Sequence, residues 1–331
     1  MNYAIQSDTV HRRVAARPDP RSSTTLWSML TLEPDLEETG DDILRHIIVP
    51  LSSQLRTGEG DRFRFVRRLE SVPPVVELHL RAPGHVIERI WKFARALVDE
   101  NVATVGAVKI TQSPGVLYPP PPGEPVPGLL EAPLAQFGGF KGLELAAEIS
   151  EVSSTLALWA VNRFPSPNVR SMLGALLLFD TGHAMMRGPR SSVWADRRTI
   201  SWDYFWDAHL RACAGAAGPR AAHVRRTMMA QIAPRVVPVH RIMAALAAEP
   251  AVDVWRKRWS RAVDEYLYRA DKQRISRSAQ QLATRVSQLA LNRLGFPFRE
   301  QAVLGLYARA WSKDIEAQYL GEDRSPQRPK R

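Results

Sequence analysis

The stretch FRFVRRLESVPPVVELHLRAP, residues 63–83, contains two runs in which apolar and polar side chains alternate. Alternation with a period of two is typical of β-strands that bury one face, and the proline-containing turn at residues 71–74 favours pairing of the two runs as a hairpin. Cationic and titratable side chains crowd the polar positions of both runs: Arg64, Arg67, Arg68, Glu77, His79 and Arg81. This density leaves two interpretations open at this point: a solvated strand pair, or the floor of a functional site.

The segments around the hairpin predict an α+β fold, with an antiparallel sheet and flanking helices in the N-terminal part and a predominantly helical C-terminal part. The predicted strands outside the hairpin are residues 25–34 and 102–112, and the predicted helices beside it are 41–55 and 85–100. Apolar residues recur at helical spacing in both helices. The order of extended and helical segments favours one sheet with helices on one face.

A proline-rich segment, YPPPPGEPVPG at residues 118–128, separates the two parts. It cannot hold regular structure, because proline fixes φ and lacks the donor that a sheet needs. The polar ends of the chain predict a mobile lead-in and a disordered tail. The expected boundaries are a lead-in at 1–24, a single domain at 25–320 with a β-rich half at 25–117 and a helical half at 129–320, and a tail at 321–331.

The composition predicts a soluble protein with an anionic partner. The chain carries 45 Lys and Arg against 34 Asp and Glu, a net charge of +11. Such a balance favours an acidic peptide, nucleic acid or a membrane surface. Cys213 is the only cysteine, which excludes intrachain disulfides and fits a reducing compartment. The first twenty residues contain no apolar core of signal-peptide length, and the longest apolar run, at residues 171–179, is about half of a membrane span. We therefore expect a cytoplasmic protein without membrane contact.

Motifs of the common nucleotide-binding and hydrolytic enzymes are absent from the sequence. There is no GxxxxGK[ST] loop, no GxGxxG turn, no HExxH helix and no GxSxG elbow. Asp180 and His183 are spaced at i and i+3, which is interpreted as a helical surface pair rather than a metal site. The sequence therefore predicts neither a metal nor a cofactor.

Five blocks occur in the order in which a known family carries them. They are FRFVRR (63–68), PPVVELHLRAP (73–83), LLEAPLAQFGG (129–139), LELAAEISEVSSTLALW (143–159) and SQLALNRLGF (287–296). The chain thereby resembles the thiopeptide-type bacteriocin biosynthesis family, which includes the C-terminal elimination domains of lantibiotic dehydratases. The resemblance covers most of the chain, and it depends on the order of the blocks because each block alone is a weak signal.

The sequence departs from the elimination domains where they carry their cationic and proton-transferring groups. Gln136 stands where the family has arginine before the Gly-Gly pair, and Gln288 and Ala290 replace the two histidines of the last block. In the second strand, Glu77 and His79 fall on the arginine positions. The resemblance therefore implies a branch that has the scaffold without the elimination residues, the pyridine synthases of thiopeptide biosynthesis.

That branch implies a formal [4+2] aza-cycloaddition between two dehydroalanines of a modified precursor peptide. Loss of water and elimination of the leader peptide then give the pyridine and close the macrocycle. Such a reaction needs positioned donors and a proton shuttle, because the amide of the diene must tautomerise. The implied partners are the acidic leader region and the modified core of the precursor, with no nucleic acid; the oligomeric state stays open.

The resemblance and this chemistry together assign candidate roles. The candidate catalytic residues are His79, Arg67, Ser287, Tyr266 and Asn292, and the candidate substrate-binding residues are Arg64, Arg68, Arg81, Glu77, Arg293, Arg256 and Arg258. His79 is the predicted proton shuttle because imidazole titrates near neutrality. We expect Arg67, His79 and Ser287 to line one hollow, and the basic helix at 254–269 to hold the acidic leader.

Two alternatives stay open. The first is a glutamate-eliminating subunit of a split tRNA-dependent lantibiotic-type dehydratase, built on the same scaffold. The second is a non-catalytic protein that binds nucleic acid or a peptide. The basic composition favours this second alternative, whereas the absence of aromatic residues interleaved with the basic groups does not.

Overall fold

The computed structural model describes residues 25–36, 39–55, 62–121, 123–194, 197 and 199–322. The N-terminal half is built on one antiparallel sheet. Its strands are β1 (Thr25–Pro34), β2 (Arg62–Arg68), β3 (Val75–Pro83), β4 (Val108–Gln112) and β5 (Val116–Leu117). The order across the sheet is β2-β3-β1-β4, and β5 also pairs with β1. β2 is therefore an edge strand.

The predicted hairpin of β2 and β3 is confirmed, and its register determines which side chains share a face. Arg64 lies opposite His79, whereas Arg67 lies opposite Val76. Because side chains alternate along a strand, Arg64 and Arg67 point to opposite faces of the sheet. The face of Arg67 also carries Phe65, and both side chains are buried. The face of Arg64 and His79 is the polar one.

Helices cover the apolar face of the sheet. They are α1 (Gly40–Ile43), which continues through a π-helical segment (Leu44–Ile48) into α2 (Val49–Leu55), followed by α3 (Gly84–Glu100) and α4 (Val102–Val105). Val86, Ile90, Ala94 and Leu97 of α3 are buried in the same core as the strands, at the spacing that the sequence predicts.

Two predicted boundaries are wrong. The expected strand at 102–112 begins only at Val108, because its first residues form the helical turn α4, which ends before Gly106 with φ 71°. Gly321 and Glu322, which were expected in the tail at 321–331, belong to the last helix. The rest of that tail and the whole lead-in at 1–24 lie outside the described residues.

The C-terminal half is helical, as predicted, and it begins after the proline-rich segment. Its helices are α5 (Gly128–Phe137), α6 (Phe140–Arg163), α7 (Pro167–Arg187), α8 (Trp202–Ala214), α9 (Ala221–Ile232), α10 (Val236–Ala247), α11 (Pro250–Lys272), α12 (Ala279–Leu294), α13 (Phe298–Ala310) and α14 (Lys313–Glu322). Trp206, Trp259 and Trp311 are fully buried between them. None of the described helices combines the length and apolar character that a bilayer crossing requires.

A buried ion-pair cluster joins α7, α11 and α14. Arg256 donates to both carboxylate oxygens of Asp180, at 2.8 and 2.9 Å, and to Glu316 at 3.0 Å. The interpretation of Asp180 and His183 as a surface pair is therefore wrong for Asp180, which is 6% exposed. The carboxylate of Asp180 faces a helix that is distant in sequence. The spacing of Asp180 and His183 within α7 therefore could not predict its contact with Arg256.

The outer edge of β2 is bonded to side chains of the helical half. The Phe65 N–H donates to Ser154 Oγ at 3.3 Å, and the Phe65 carbonyl accepts from Arg293 Nε at 2.8 Å. The Arg67 N–H donates to Asn292 Oδ1 at 3.0 Å, and the Arg67 carbonyl accepts from Asn292 Nδ2 at 2.7 Å. These bonds satisfy backbone groups that an edge strand would otherwise expose, and they join the two halves of the chain.

Asn292→Ala removes both side-chain bonds to the backbone of Arg67. We expect the free energy of unfolding to fall by about 1–3 kcal/mol, because two partly buried peptide groups lose their partners. Urea unfolding followed by circular dichroism measures the change. Asn162→Ala, at an exposed position in α6, is the matched control. Equal effects from the two variants would show that the contact at β2 contributes nothing specific.

Candidate active site

The polar face of the sheet carries a row of cationic and aromatic side chains. Arg64 places its guanidinium over the ring of Trp27, 4.6 Å from the centroid. Arg81 donates to both carboxylate oxygens of Glu144, at 2.5 and 2.7 Å, and lies 5.4 Å from the ring centroid of Tyr118. Arg81 is therefore neutralised by a carboxylate, whereas Arg64 faces only an aromatic ring.

Three arginines converge beside β2 without a carboxylate partner. Arg293 donates to the Phe65 carbonyl and to Ser153 Oγ, and Arg285 donates to Gln136 Oε1 at 2.7 Å. Arg64, the third, has no ion pair with any residue in the described part of the chain. Arg293 Nη2 and Arg285 Nε have no hydrogen-bond partner there either. The cluster therefore offers unused donors and uncompensated positive charge.

Burial makes this charge costly. Burial lowers the pKa of Arg64 to about 10. Burial, together with the charges of Arg64 and Arg285, lowers the pKa of Arg293 to about 9. All three groups nevertheless stay charged near neutral pH. Buried cations without partners oppose folding, and such groups concentrate at functional sites. The arrangement favours a ligand that brings acceptor oxygens.

His79 lies among these arginines as a neutral ring. Burial lowers its pKa to about 4, and the nearby charges of Arg64 and Arg293 also lower it, while the contact with Glu77 raises it. Its Nε2 lies 3.5 Å from Glu77 Oε2, and its buried Nδ1 has no partner. A proton on Nε2, directed at Glu77, leaves the lone pair of Nδ1 free to accept a proton.

Two small cavities follow β2 on this side. The first has a volume of about 20 Å³ and lies against Trp27, Arg64, His79 and Ala147 of α6. The second has a volume of about 60 Å³, and its walls include Val66 with Arg285, Gln288 and Asn292 of α12. Each cavity is large enough for water molecules but not for a whole peptide side chain or a cofactor. Together they outline a shallow groove along the strand between α6 and α12, which we call the β2 groove.

Arg67 lies on the other side of β2. It donates to Asp41 Oδ1 at 2.6 Å, and Arg170 donates to Asp41 Oδ2 at 2.5 Å. Burial alone would raise the pKa of Asp41, but the two arginines lower it. A cavity of about 280 Å³ adjoins this cluster, with Gly295 in its wall. Arg67 is therefore paired with a carboxylate, unlike Arg64.

The expectation that Arg67, His79 and Ser287 line one hollow is wrong. Arg67 and His79 are on opposite faces of the sheet, as the strand period and the register require. Ser287 is buried in α12, where its hydroxyl donates to the Thr284 carbonyl at 2.9 Å. Tyr266 is buried in α11, where burial raises the pKa of its hydroxyl, and that hydroxyl has no partner among the described residues.

The remaining predicted residues divide between bound and exposed positions. Asn292 uses its amide on the backbone of β2, and Arg68 is exposed and bonds Glu77. Arg258 is exposed on α11, near the ring of Trp255. The expectation of an exposed basic face at 254–269 is wrong for Arg256, which is buried between two carboxylates.

Arg285 and Trp27 are site residues that sequence reasoning missed. Arg285 of α12 donates a hydrogen bond to Gln136 of α5, which stands where the resemblance places an arginine in the family. Arg285, Leu289 and Asn292 are spaced at i, i+4 and i+7 on one helical face, and this spacing was the available signal. Among the described residues, no group of three or more His, Cys, Asp or Glu could hold a metal ion.

Comparisons with known proteins agree with this architecture. Residues 27–311 match the family model described as lantibiotic biosynthesis dehydratase C-term. The chain belongs to this family. The match confirms the resemblance to the lantibiotic dehydratase C-terminal domains that the sequence blocks carry. A search of curated protein sequences finds no significant match.

Solved structures share the fold at low sequence identity. The pyridine synthase TbtD from thiomuracin biosynthesis has a TM-score of 0.55 and 15% identity, and the match covers 90% of this chain and 99% of TbtD. TsrL has a TM-score of 0.55 and 15% identity, with 91% of this chain and 95% of TsrL covered. The tRNA-dependent lantibiotic dehydratase MibB from Microbispora sp. 107891 has a TM-score of 0.52 and 16% identity, with 94% of this chain and 29% of MibB covered.

Arg64 and Arg67 are a matched pair on one strand with different environments. We expect Arg64→Met to leave the free energy of unfolding within about 1 kcal/mol of wild type, since relief of charge burial offsets the lost contact with Trp27. Arg67→Met should lower it by about 2–4 kcal/mol, because Asp41 then loses one of its two hydrogen-bonded arginines and keeps Arg170, with Arg45 farther away at 3.9 Å. Chemical denaturation of both variants measures the difference. Equal losses would contradict the assignment of Arg64 as an unpaired cation.

The depressed pKa of His79 predicts a pH dependence. Since the folded ring binds a proton more weakly than the unfolded one, its contribution to stability is complete above the ordinary pKa of 6.5 and falls as the pH drops toward about 4. The slope reaches about 1.4 kcal/mol per pH unit at most. We expect this slope to shrink in His79→Gln, measured by unfolding at several pH values. An NMR titration of His79 with a midpoint near its ordinary value would contradict the assignment.

Proposed function

We propose that this protein is a thiopeptide pyridine synthase, which joins two dehydroalanines of a modified precursor peptide by a formal [4+2] aza-cycloaddition. Water is then lost and the leader peptide is eliminated, so that a pyridine forms and the macrocycle closes. The observation that carries the proposal is the β2 groove, where Arg64 and Arg293, which have no carboxylate partner among the described residues, lie near the neutral ring of His79, and Arg285 lines the neighbouring cavity. Such a site suits a ligand rich in carbonyl oxygens.

The first chemical requirement is tautomerisation of one backbone amide to its iminol. The amide nitrogen loses a proton and the carbonyl oxygen gains one, which creates the C=N–C=C unit of the diene. The free Nδ1 of His79 is the group available to accept the proton from nitrogen. An N–H of Arg64, or the unused Nη2 of Arg293, stabilises negative charge on the oxygen, as donors do in an oxyanion hole.

The second requirement is that the diene and the second alkene are held face to face. Two carbon–carbon bonds form from the π electrons of the two alkenes and the iminol, without a change of oxidation state and without a covalent bond to the protein. Positioning in a near-attack geometry can supply roughly 7–11 kcal/mol in favourable cases. Because the cavities are small, the peptide would lie along β2 and cover the groove, with its carbonyl oxygens toward the arginines.

The last steps are two eliminations that make the ring aromatic. In each, the new ring gives up one proton, and the departing group, hydroxide or the leader amide nitrogen, receives one. The contact of His79 Nε2 with Glu77 provides a two-residue path for these protons. The residues of the β2 groove therefore bind and orient the substrate and transfer protons, whereas the electrons of the new bonds come from the substrate itself.

Elimination of glutamate from glutamylated Ser or Thr is the second candidate function. Three arginines without carboxylate partners would also bind a glutamyl carboxylate, and MibB, a tRNA-dependent dehydratase, shares the fold. We favour the pyridine synthase because Gln288 and Ala290 stand where the elimination domains have imidazoles. The fold similarity to TbtD over almost its whole length supports this choice.

Mass spectrometry with two substrates separates the candidates. A precursor peptide with dehydroalanines and azoles should give a macrocycle of lower mass together with the released leader amide. The same precursor carrying glutamylated serines should stay unchanged. Release of glutamate from the second peptide, without leader release from the first, would overturn the proposal in favour of elimination.

Arg64 should contribute to the rate and not to the fold. We expect Arg64→Met to lower the rate of macrocycle formation by about 10²–10³-fold, the range measured for removal of one preorganised donor. Arg95→Met, at an exposed position on α3, is the matched control and should stay within about twofold of wild type. A rate unchanged in Arg64→Met would remove the β2 groove from the reaction.

A further inference from the structure

One stretch of the chain carries positive charge with no acidic residue to balance it. Between Asp207 and Glu249 the sequence contains no aspartate or glutamate. The arginines of this stretch are Arg211, Arg220, Arg225, Arg226, Arg235 and Arg241. Elsewhere in the described chain most exposed basic helices also carry acids, as in the pair of Lys257 and Asp253 on α11.

The stretch folds into two helices on the surface. α9 ends at Ile232 and continues through a 3₁₀ turn (Ala233–Arg235) into α10, so the two helices together extend about 40 Å. Arg220, Arg226, Arg235 and Arg241 are exposed. None of them forms an ion pair with a residue in the part of the chain that the structure describes. We call this surface, from Arg220 to Ala247, the α9–α10 surface.

α9 gains little from packing against the rest of the protein. Ile232 is its only buried residue. Helices of this length are marginal in water on their own, and most helical stability comes from burying an apolar face. Apolar side chains stay exposed along both helices: Met229 is 46% exposed, Val237 56% and Ile242 52%. The surface therefore has apolar positions available beside unpaired cations.

We propose that the α9–α10 surface binds an acidic, amphipathic peptide helix. Unpaired arginines select carboxylates, and Met229, Val237 and Ile242 offer contacts for the apolar face of such a helix. A peptide is favoured over nucleic acid because the exposed groups between the arginines are mostly aliphatic or small and polar, and they offer a single exposed aromatic ring, that of His223, on which a base could stack. It is favoured over a membrane because the exposed positions lack the Trp, Phe and Leu face of interfacial helices.

This inference rests on the proposed function in one respect, that the substrate is a peptide. It places recognition on a surface separate from the β2 groove. It also differs from the expectation for the basic helix at 254–269, where Arg256 is committed to buried carboxylates and Lys257 to Asp253. Arg258 and Arg261 of α11 also have no ion pair among the described residues, but acidic residues lie on the same helix, whereas α9 and α10 contain none.

Fluorescence anisotropy with a designed probe tests the surface without requiring turnover. The probe is a fluorescein-labelled helix with glutamate on one face and leucine on the other, and a peptide with lysine in place of glutamate controls for charge. We expect saturable binding of the acidic probe that weakens with salt. The double variant Arg226→Glu/Arg241→Glu should weaken it by about tenfold or more, because attraction becomes repulsion.

Two further variants make the result specific. Arg89→Glu/Arg95→Glu reverses two exposed arginines of α3 and carries the same change in net charge; it should change the affinity by less than about twofold. Arg258→Glu/Arg261→Glu tests the rival surface on α11. Circular dichroism confirms that each variant is folded. Equal weakening in all three variants, or weakening only in the α11 variant, would overturn the proposal.

Two other ligands give the remaining outcomes. The protein could bind single-stranded RNA of equal charge, or anionic vesicles, more tightly than the acidic probe. If that tighter binding is lost in the Arg226→Glu/Arg241→Glu variant, the result would overturn the proposal in favour of nucleic acid or membrane. Binding of the acidic probe without macrocycle formation would contradict the proposed function and support the α9–α10 surface. Macrocycle formation without binding of the probe would support the proposed function and contradict the α9–α10 surface.

Discussion

Asn292 and Arg293, from the last sequence block, bond the backbone of β2, and the rest of the structure depends on this contact. An edge strand presents free donors and acceptors, and here they are taken up by α12 and by Ser154 of α6. The bonds from Asn292 and Arg293 span more than two hundred residues of sequence. They fix the sheet against the helical half. Because Arg293 also belongs to the arginine cluster, the same contact determines where the candidate site lies.

β2 therefore has two arginine environments on its two faces, one with a carboxylate partner and one without. On the apolar face, Arg67 and Arg170 share Asp41, and the charges stabilise one another. On the polar face, Arg64 and Arg285 both repel Arg293, and Arg64 and Arg293 lie near a histidine that burial keeps neutral. A paired buried charge contributes to the fold, whereas an unpaired one opposes it and is explained best by a ligand. In this account, the missing partner is a carbonyl oxygen of the substrate.

The sequence predicted the hairpin, the amphipathic helices and the family, because each depends on local periodicity or on ordered blocks. The sequence also contained part of the reason that Arg67 and His79 lie on opposite faces of the sheet. Arg64 and Arg67 are an odd number of residues apart on one strand, so they point to opposite faces, and Arg64 is on the same face as His79. The burial of Arg256 and Asp180 could not be predicted, because it depends on how three helices pack. The same holds for Asn292, whose amide bonds backbone rather than substrate, and for Arg285, which reaches Gln136 only in the folded protein.

A crystal structure with a non-reactive analogue of the dehydrated precursor tests the central claim most directly. The account predicts that the analogue lies along β2, with one backbone carbonyl oxygen within hydrogen-bond distance of Arg293 Nη2 or Arg64 and an amide nitrogen facing His79 Nδ1. An analogue bound instead beside Arg67 and Asp41, with the arginines of the β2 groove untouched, would contradict it.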